Sequence, residues 1–327
     1  MMRPGRAFLI GFVLLLNGSI LSAQHNKLVF TPHWLPQAQF AGFYVARDQG
    51  FYSDAGLDVE IIHPPVTDNA LTFLTNGQAD VISLFLVTGL KARSEGVDLV
   101  NIAQLSQHSA IMMVSMKESG IESLADFEGK RIGIWMSGFE EVPKALINEY
   151  GLAVEWVPIL SSVNLFLAGG LDIMTVMYYN EYNTIYLSGI DHDELNTFFL
   201  SELGYDIPED GLYTLKSTRE QRPGDLKKFV EATMKGWAHA ARNKEYAISL
   251  VIDQMQALHI PSNRAHQRWM LDKVLDLYAY EDKSVKQTQL SEEDFHKAVS
   301  LLKARHIISG GCRYEEFFRP VVHPMDP

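Results

Sequence analysis

The chain has 327 residues, of which 47% are hydrophobic and 21% charged, a composition suited to a globular protein with two domains or one large one. Its formal charge of −12 argues against nucleic acid and anionic membranes as partners. The single cysteine, Cys312, excludes an internal disulfide framework and any cysteine-cluster metal site, and is expected to be a buried small apolar residue.

At the N-terminus, Arg3 and Arg6 precede an apolar run over 7–16, which resumes at Ile20-Leu21, and Ser22-Ala23 offers small residues for cleavage before Gln24. An uncleaved anchor needs about twenty uninterrupted apolar residues, and Asn17-Gly18-Ser19 breaks this run. Residues 1–23 therefore read as an export signal, cleaved after about Ala23. Its removal takes two arginines and no acid, moving the formal charge from −12 to −14. No cysteine adjoins the cleavage position, so no lipid anchor is expected. Residues 81–90 are too short and too polar for a later membrane span.

Residues 27–31 read as a first strand. An aromatic loop follows over 34–40, with too little charge for an ordinary solvated turn and too much Pro and Gln for a buried strand. Phe40, Phe43, Tyr44 and Arg47 then recur at helical spacing. Gly50 closes that helix, and Gly56-Leu57 leads into an alternating strand ending at Ile62. Thr67-Asp68 can cap a helix ending at Asn76-Gly77. A short apolar strand over 79–84, a helix over 87–95 and a strand over 99–105 complete an alternation that implies a parallel sheet with helices on both faces.

The second part of the chain echoes the first. Gly56-Leu57-Asp58-Val59, Phe73 to Gly77 and Asp80-Val81 correspond to Gly151-Leu152-Ala153-Val154, Phe166 to Gly170 and Asp172-Ile173. Solenoid repeats are far shorter. Two α/β lobes built on one plan are the reading, although helix-Gly-Leu-strand is also common punctuation. Residues 109–116 are the expected first crossing between lobes and 211–215 the return. Beyond Pro223-Gly224, segments 225–242, 244–257, 262–278 and 291–304 read as amphipathic helices, a block expected to pack back on the first lobe. The expected division is 24–115 plus 207–327 for lobe 1 and 116–206 for lobe 2. Ligands of open α/β sheets sit at the carboxyl ends of strands, which directs attention to four loops, at 32–40, 83–85, 135–141 and 177–182.

These stretches carry a resemblance. HWLPQAQFAGFYVARDQGFYSDAGLDV at 33–59, LTNGQAD at 74–80, LADFEGKRIGI at 124–134 and MYYNEY at 177–182 resemble the periplasmic substrate-binding proteins of ABC transporters. The branch is the one related to fungal hydroxymethylpyrimidine phosphate synthases and to binding proteins for pyrimidine precursors of thiamine. The resemblance implies a two-lobed, type II-like periplasmic binding protein, each lobe a Rossmann-like parallel sheet flanked by helices. It also implies delivery to an ABC permease in the inner membrane, and an aromatic cleft in which a carboxylate faces an aminopyrimidine. The fungal enzymes use a Lys and a His after the Asp matching Asp80, and a cysteine-rich motif in the second lobe. Residues 81–90 here contain neither Lys nor His, and 204–212 contain no Cys. The expectation is a binding protein, not an enzyme.

A 4-aminopyrimidine offers a flat ring, an amino donor and ring-nitrogen acceptors. Aromatic stacking contributes about 0.5–1.5 kcal/mol beyond area burial, and one carboxylate can accept from the amino group. Trp34 and Phe40 are candidate stacking surfaces, Tyr44 lies at a spacing that also suits the core, and Gln37 suits a ring edge. Ser83 is a strand-end hydrogen-bonding candidate, and Trp135, Phe139 and Glu140 belong to the second-lobe loop. Tyr178, Asn180 and Glu181 stand where a strand gives way to a helix. There Asn180 equally suits a helix cap and Glu181 a solvated first-turn acid.

No His-x-x-x-His pair, Gly-rich phosphate cradle or Gly-x-Ser-x-Gly motif is present, so neither metal nor cofactor is expected. The expected function is that of a monomeric, periplasmic receptor for a small heteroaromatic ligand, a thiamine-related aminopyrimidine or another ring system such as riboflavin. A module reporting ligand occupancy to a signalling partner is the alternative.

Overall fold

The structure, a computed structural model, describes residues 26–65, 68–135, 139–160, 162–279 and 287–323. The proposed export signal lies outside these residues, as does Thr67. In the first part β1 (Asn26–Thr31) leads through a loop to α1 (Ala41–Asp48), α2 (Phe51–Asp54), β2 (Leu57–Ile61), α3 (Ala70–Thr75), β3 (Val81–Phe85), α4 (Leu86–Ser94) and β4 (Leu99–Gln104). Gly50 and Gly56 take left-handed backbone at φ 74° and 78°, which is why the chain can turn twice between α1 and β2. Asn69, one residue after the expected pair, caps α3 by accepting from the Thr72 amide.

The chain then crosses into β5 (Ile111–Met116), followed by β6 (Arg131–Trp135), α5 (Glu141–Glu149), β7 (Glu155–Ile159), α6 (Asn164–Leu167), β8 (Ile173–Met177), α7 (Glu181–Leu187) and β9 (Leu195–Phe199). It returns through β10 (Asp210–Leu215) to α8 (Lys216–Gln221), α9 (Pro223–Arg242), α10 (Lys244–Ala257), α11 (Arg264–Leu277), α12 (Glu292–Ala304) and α13 (Tyr314–Phe317).

Two five-stranded sheets result, in the orders β2-β1-β3-β10-β4 and β7-β6-β8-β5-β9. Both are mixed. The strands of the βα units are parallel, whereas β10 runs antiparallel to β3 and β4, and β5 antiparallel to β8 and β9. Each reversed strand is a crossing strand. It enters its sheet directly from the other lobe, with no crossover helix to bring it round parallel.

The two orders superimpose position for position, which gives the sequence echo a physical basis. Asp80 accepts the Val29 amide at 2.8 Å, and its own amide donates to the Val29 carbonyl at 2.9 Å. Asp172 does the same with Arg131, at 2.8 and 3.0 Å. In each lobe the echoed aspartate pins the start of its strand, β3 or β8, to the parallel neighbour, β1 or β6. An arginine completes each clamp, Arg222 on Asp80 and Arg131 on Asp172.

The C-terminal helices touch both lobes. Helix α9 lies against α1 so closely that a Cβ at Gly236 would fall 2.1 Å from the Gly42 carbonyl oxygen. Helix α11 reaches α7, and α12 packs on both α4 and α5. Cys312 is half-buried rather than buried. Among the described residues no helix is long and apolar enough to cross a membrane.

The two crossings are laced together. The Glu209 carboxylate accepts from Ser109 Oγ (2.8 Å) and from the amides of Ala110 (2.7 Å) and Ile111 (3.2 Å), while the Glu209 amide donates to Ser106 Oγ. Burial and the neighbouring Asp210 charge push its pKa up to about 8 against those hydrogen bonds.

Candidate functional site

The strand-end loops of both sheets converge between the lobes on two adjoining chambers. The inner one encloses about 30 Å³ and is lined by His33, Trp34, Gln37 and Gln39 from the first lobe, and by Trp135, Phe139, Met177, Tyr179, Asn180 and Glu181 from the second. The outer one, about 430 Å³, shares His33, Trp34, Trp135 and Phe139 with it and opens toward Asp68, Lys91 and Glu95.

Phe139 is the hub of the aromatic walls. Its ring centroid lies 5.0 Å from Phe85, 5.6 Å from Trp34 and 6.3 Å from Trp135, each nearly edge-on. Trp34 is held from behind, since its carbonyl lies 2.5 Å from His63 Nδ1 and His63 Nε2 lies 2.7 Å from the Tyr44 hydroxyl. Desolvation pushes the His63 pKa down to about 4, so the ring is neutral, with Nδ1–H donating forward to Trp34 and Nε2 accepting from Tyr44.

The floor of the first-lobe side is polar. Ser83 Oγ lies 2.7 Å from His33 Nδ1 and accepts the His33 amide at 3.0 Å. Burial lowers the His33 pKa against the pull of Asp210, whose Oδ1 stands 3.6 Å from Nε2, beyond hydrogen-bonding range. Buried Asp210 instead accepts from Gln39 Nε2 at 2.9 Å and from the Tyr278 hydroxyl at 3.2 Å. Gln39 Oε1 in turn accepts from Gln37 Nε2 at 2.6 Å.

The second-lobe side carries Glu181, only 4% exposed. Its carboxylate accepts from the Met177 amide (3.1 Å) and from Asn180 Nδ2 (2.9 Å). Desolvation raises its pKa to about 7 against the lowering pull of the Met177 amide and its own backbone N–H. The Met177 and Asn180 donors use two of its four lone-pair positions.

Of the residues singled out from sequence, the structure brings Trp34, Gln37, Trp135, Phe139, Asn180 and Glu181 to the inner chamber. Ser83 stands behind His33. Glu140 accepts the Phe139 amide and lines neither chamber. Phe40, in the turn before α1, and Tyr44, on α1, are buried in the first-lobe core, because α9 and α10 cover α1 and leave Ala41 to Ala46 buried on every side. Tyr178 points the opposite way from its neighbours and packs on Trp269 and Phe199. Asn180 precedes α7, but no side-chain cap bond is made there. The chamber also contains His33, Gln39, Met177 and Tyr179. His33 and Gln39 lie in the loop that sequence marked, and Tyr179 lies within the tyrosine-rich segment.

Two mixed α/β sheets joined by two crossings, with a polar and aromatic chamber between them, define the fold of the periplasmic binding proteins. The alkanesulfonate-binding protein SsuA of Xanthomonas axonopodis pv. citri, solved bound to MOPS, is similar in structure, with a TM-score of 0.67 at 15% identity over 90% of this chain and 99% of that one. The NMT1/THI5-like family model matches residues 37–247, and the chain belongs to that family. Relatives include a Haemophilus influenzae protein named for thiamine biosynthesis, 28% identical over 50% of this chain and 51% of its own length, so that the chain spans about half of that relative. A formylaminopyrimidine-binding protein of Halalkalibacterium halodurans is 21% identical over 70% of both chains. The 4-amino-5-hydroxymethyl-2-methylpyrimidine phosphate synthase of Schizosaccharomyces pombe is 24% identical over 39% of this chain and 37% of its own.

Proposed function

We propose that this chain is the exported solute-binding receptor of an ABC importer and that it captures a thiamine-related aminopyrimidine between its lobes. The observation that carries the reading is the buried Glu181 carboxylate beside Asn180 in an aromatic chamber. A 4-aminopyrimidine edge presents a donor and an acceptor side by side, and Glu181 accepting with Asn180 donating is its complement. The ring edge enters the inner chamber against these two residues. The remainder extends into the 430 Å³ chamber, a volume in the usual range for small-molecule sites. Trp34, Trp135 and Phe139 supply apolar surface to the ring. The name of the Halalkalibacterium relative supports the same ligand class.

Binding without turnover is supported by the residues that the fungal synthases use and this chain lacks, the Lys and His after Asp80 and the second-lobe cysteines. The partner under this reading is a permease, and the working form is a monomer. The test is mass spectrometry of small molecules that co-purify with the protein, followed by calorimetry with 4-amino-5-hydroxymethyl-2-methylpyrimidine and its formylamino counterpart. Saturable binding of either supports the reading. Binding of a flavin or a sulfonate with no affinity for the pyrimidines would overturn it.

A further inference from the structure

The chain of hydrogen bonds that ends on Glu181 begins in the other lobe's helical block. His266, on α11, places Nε2 3.0 Å from Asn180 Oδ1 and Nδ1 2.9 Å from Asn183 Nδ2. The direction of this chain is determined. Asn180 Nδ2 donates to Glu181 Oε1 at 2.9 Å, so its Oδ1 is the end turned to His266 and must accept. Nε2 of His266 therefore carries the proton, and Nδ1, left as an acceptor, receives Asn183 Nδ2–H. A neutral imidazole in one tautomer satisfies every partner, and desolvation, which lowers the His266 pKa to about 4, keeps it neutral. The groups facing the ring are Asn180 before α7 and Asn183 on α7. On its own helix, the His266 amide donates to the Asn263 cap.

Asn180 lines the inner chamber, and its Nδ2 makes no second hydrogen bond among the described residues. We propose that His266 is a positioning residue that fixes the Asn180 amide with its nitrogen toward the ligand, so that the site reads a 4-amino edge and rejects a 4-oxo edge. The proposal rests on the functional reading above. With the amide held this way, Asn180 donates to a ring nitrogen while Glu181 accepts from the exocyclic amine. A 4-oxo ring with a protonated neighbouring nitrogen reverses both polarities and meets donor with donor and acceptor with acceptor. Because α11 is tied to the first lobe, where Gln267 Oε1 accepts the Ala38 amide at 2.7 Å, the setting exists only when the lobes are together. Selection is thereby coupled to closure. Trp269 Nε1 donating to the Tyr178 carbonyl at 3.1 Å holds the same seam.

The experiment compares the affinities of 4-amino-5-hydroxymethyl-2-methylpyrimidine and its 4-oxo counterpart for the wild type, H266M and H266Q. Methionine has similar bulk and no donor, whereas glutamine can donate to Asn180 and accept from Asn183. The expected result is a preference for the amino compound that falls about tenfold in H266M, the scale of one hydrogen bond to a charged or buried partner, and is retained in H266Q. A wild-type preference preserved in H266M overturns the proposal alone. Binding of neither compound by the wild type overturns the functional reading and this one with it. Independent of any variant folding, nitrogen-15 NMR of the wild type should show His266 as the neutral tautomer protonated at Nε2, and an Nδ1-protonated ring would overturn the assignment.

Discussion

Lowering the pH from 8 to 6 should weaken aminopyrimidine binding through Glu181 in a way that the ligand's own titration does not explain. In the free protein this carboxyl titrates at about 7, because burial penalises its charge more than the backbone amides of Met177 and of Glu181 itself favour it. An amine donating to Glu181 binds only the ionised form, so binding must expel any proton present. For a group of pKa about 7, roughly nine-tenths is protonated at pH 6 and one-tenth at pH 8. Affinity at pH 6 is then about tenfold weaker, or about 1.4 kcal/mol. The assay is calorimetry at pH 6, 7 and 8 on the wild type and Glu181→Gln, since ring protonation of the ligand is common to both and cancels in the ratio of their dissociation constants. At pH 8 the variant should bind about 1–3 kcal/mol more weakly, the scale of a hydrogen bond to a charged group. That gap should narrow toward pH 6. A ratio constant across the range would refute the reasoning, and a ratio that widens at low pH would mean that the neutral acid donates to the ring instead.

Apparent stability of the unliganded protein should fall from pH 6.5 to pH 8. Glu209, at about 8 when folded, is raised above its unfolded value, so its stabilising contribution is complete at low pH and is lost as pH rises through 8; over this interval alone it accounts for about 2 kcal/mol. Glu209→Gln should flatten the decline in melting temperature, and an undiminished decline would exclude Glu209 as its source. Below pH 6.5 the sign reverses for His63 and His266, both at about 4 when folded, whose contribution is lost as pH falls toward that value. Gly236→Ala should cost about 1–3 kcal/mol by overpacking, because a methyl there meets the α1 backbone; a denaturant midpoint unchanged from wild type would show that the two helices separate freely. Saturating ligand should reduce the radius of gyration in solution scattering by hinge closure, and superimposable profiles would count against a moving hinge.

Element identity was readable because the signals are local. Gly50, Gly56 and Gly151 sit where left-handed turns are needed, and the four long C-terminal amphipathic stretches bury one face each. Strand direction was not readable, since β5 and β10 have the same apolar composition whether parallel or reversed, and only the topology turns them. The site divides along the same line. Loops after strands could be placed, and Trp34, Gln37, Trp135, Phe139, Asn180 and Glu181 followed from them. Helical spacing marks Phe40 and Tyr44 as belonging to one face without saying whether that face meets the cleft or the sheet. Tyr178 and Tyr179 differ by one position, and one position is enough to send a side chain to the opposite side of the loop. Asp210 and His266 come from 171 and 86 residues away from their partners Gln39 and Asn180, a separation that carries no local signal.

The shared plan of the two lobes separates what is scaffold from what selects. Asp80 and Asp172 perform the same strand clamp, so the echoed positions are explained by folding alone and need no ligand. The difference between the lobes lies in the loops beyond the clamped strands. On β3 itself the first lobe offers Ser83, whose hydroxyl is engaged with His33, and in the loop after β1 the neutral amides of Gln37 and Gln39 are engaged with each other and with Asp210. After β8, the equivalent strand, the second lobe offers Glu181, the only carboxylate among the described residues lining the inner chamber. The first lobe thus presents a surface whose hydrogen bonds are largely satisfied internally, suited to holding a ring by its faces. The second presents a polarity that a ligand must match. Because the amide that completes that polarity is oriented from α11, the two lobes must meet before the match is fully specified, and recognition and closure become one event.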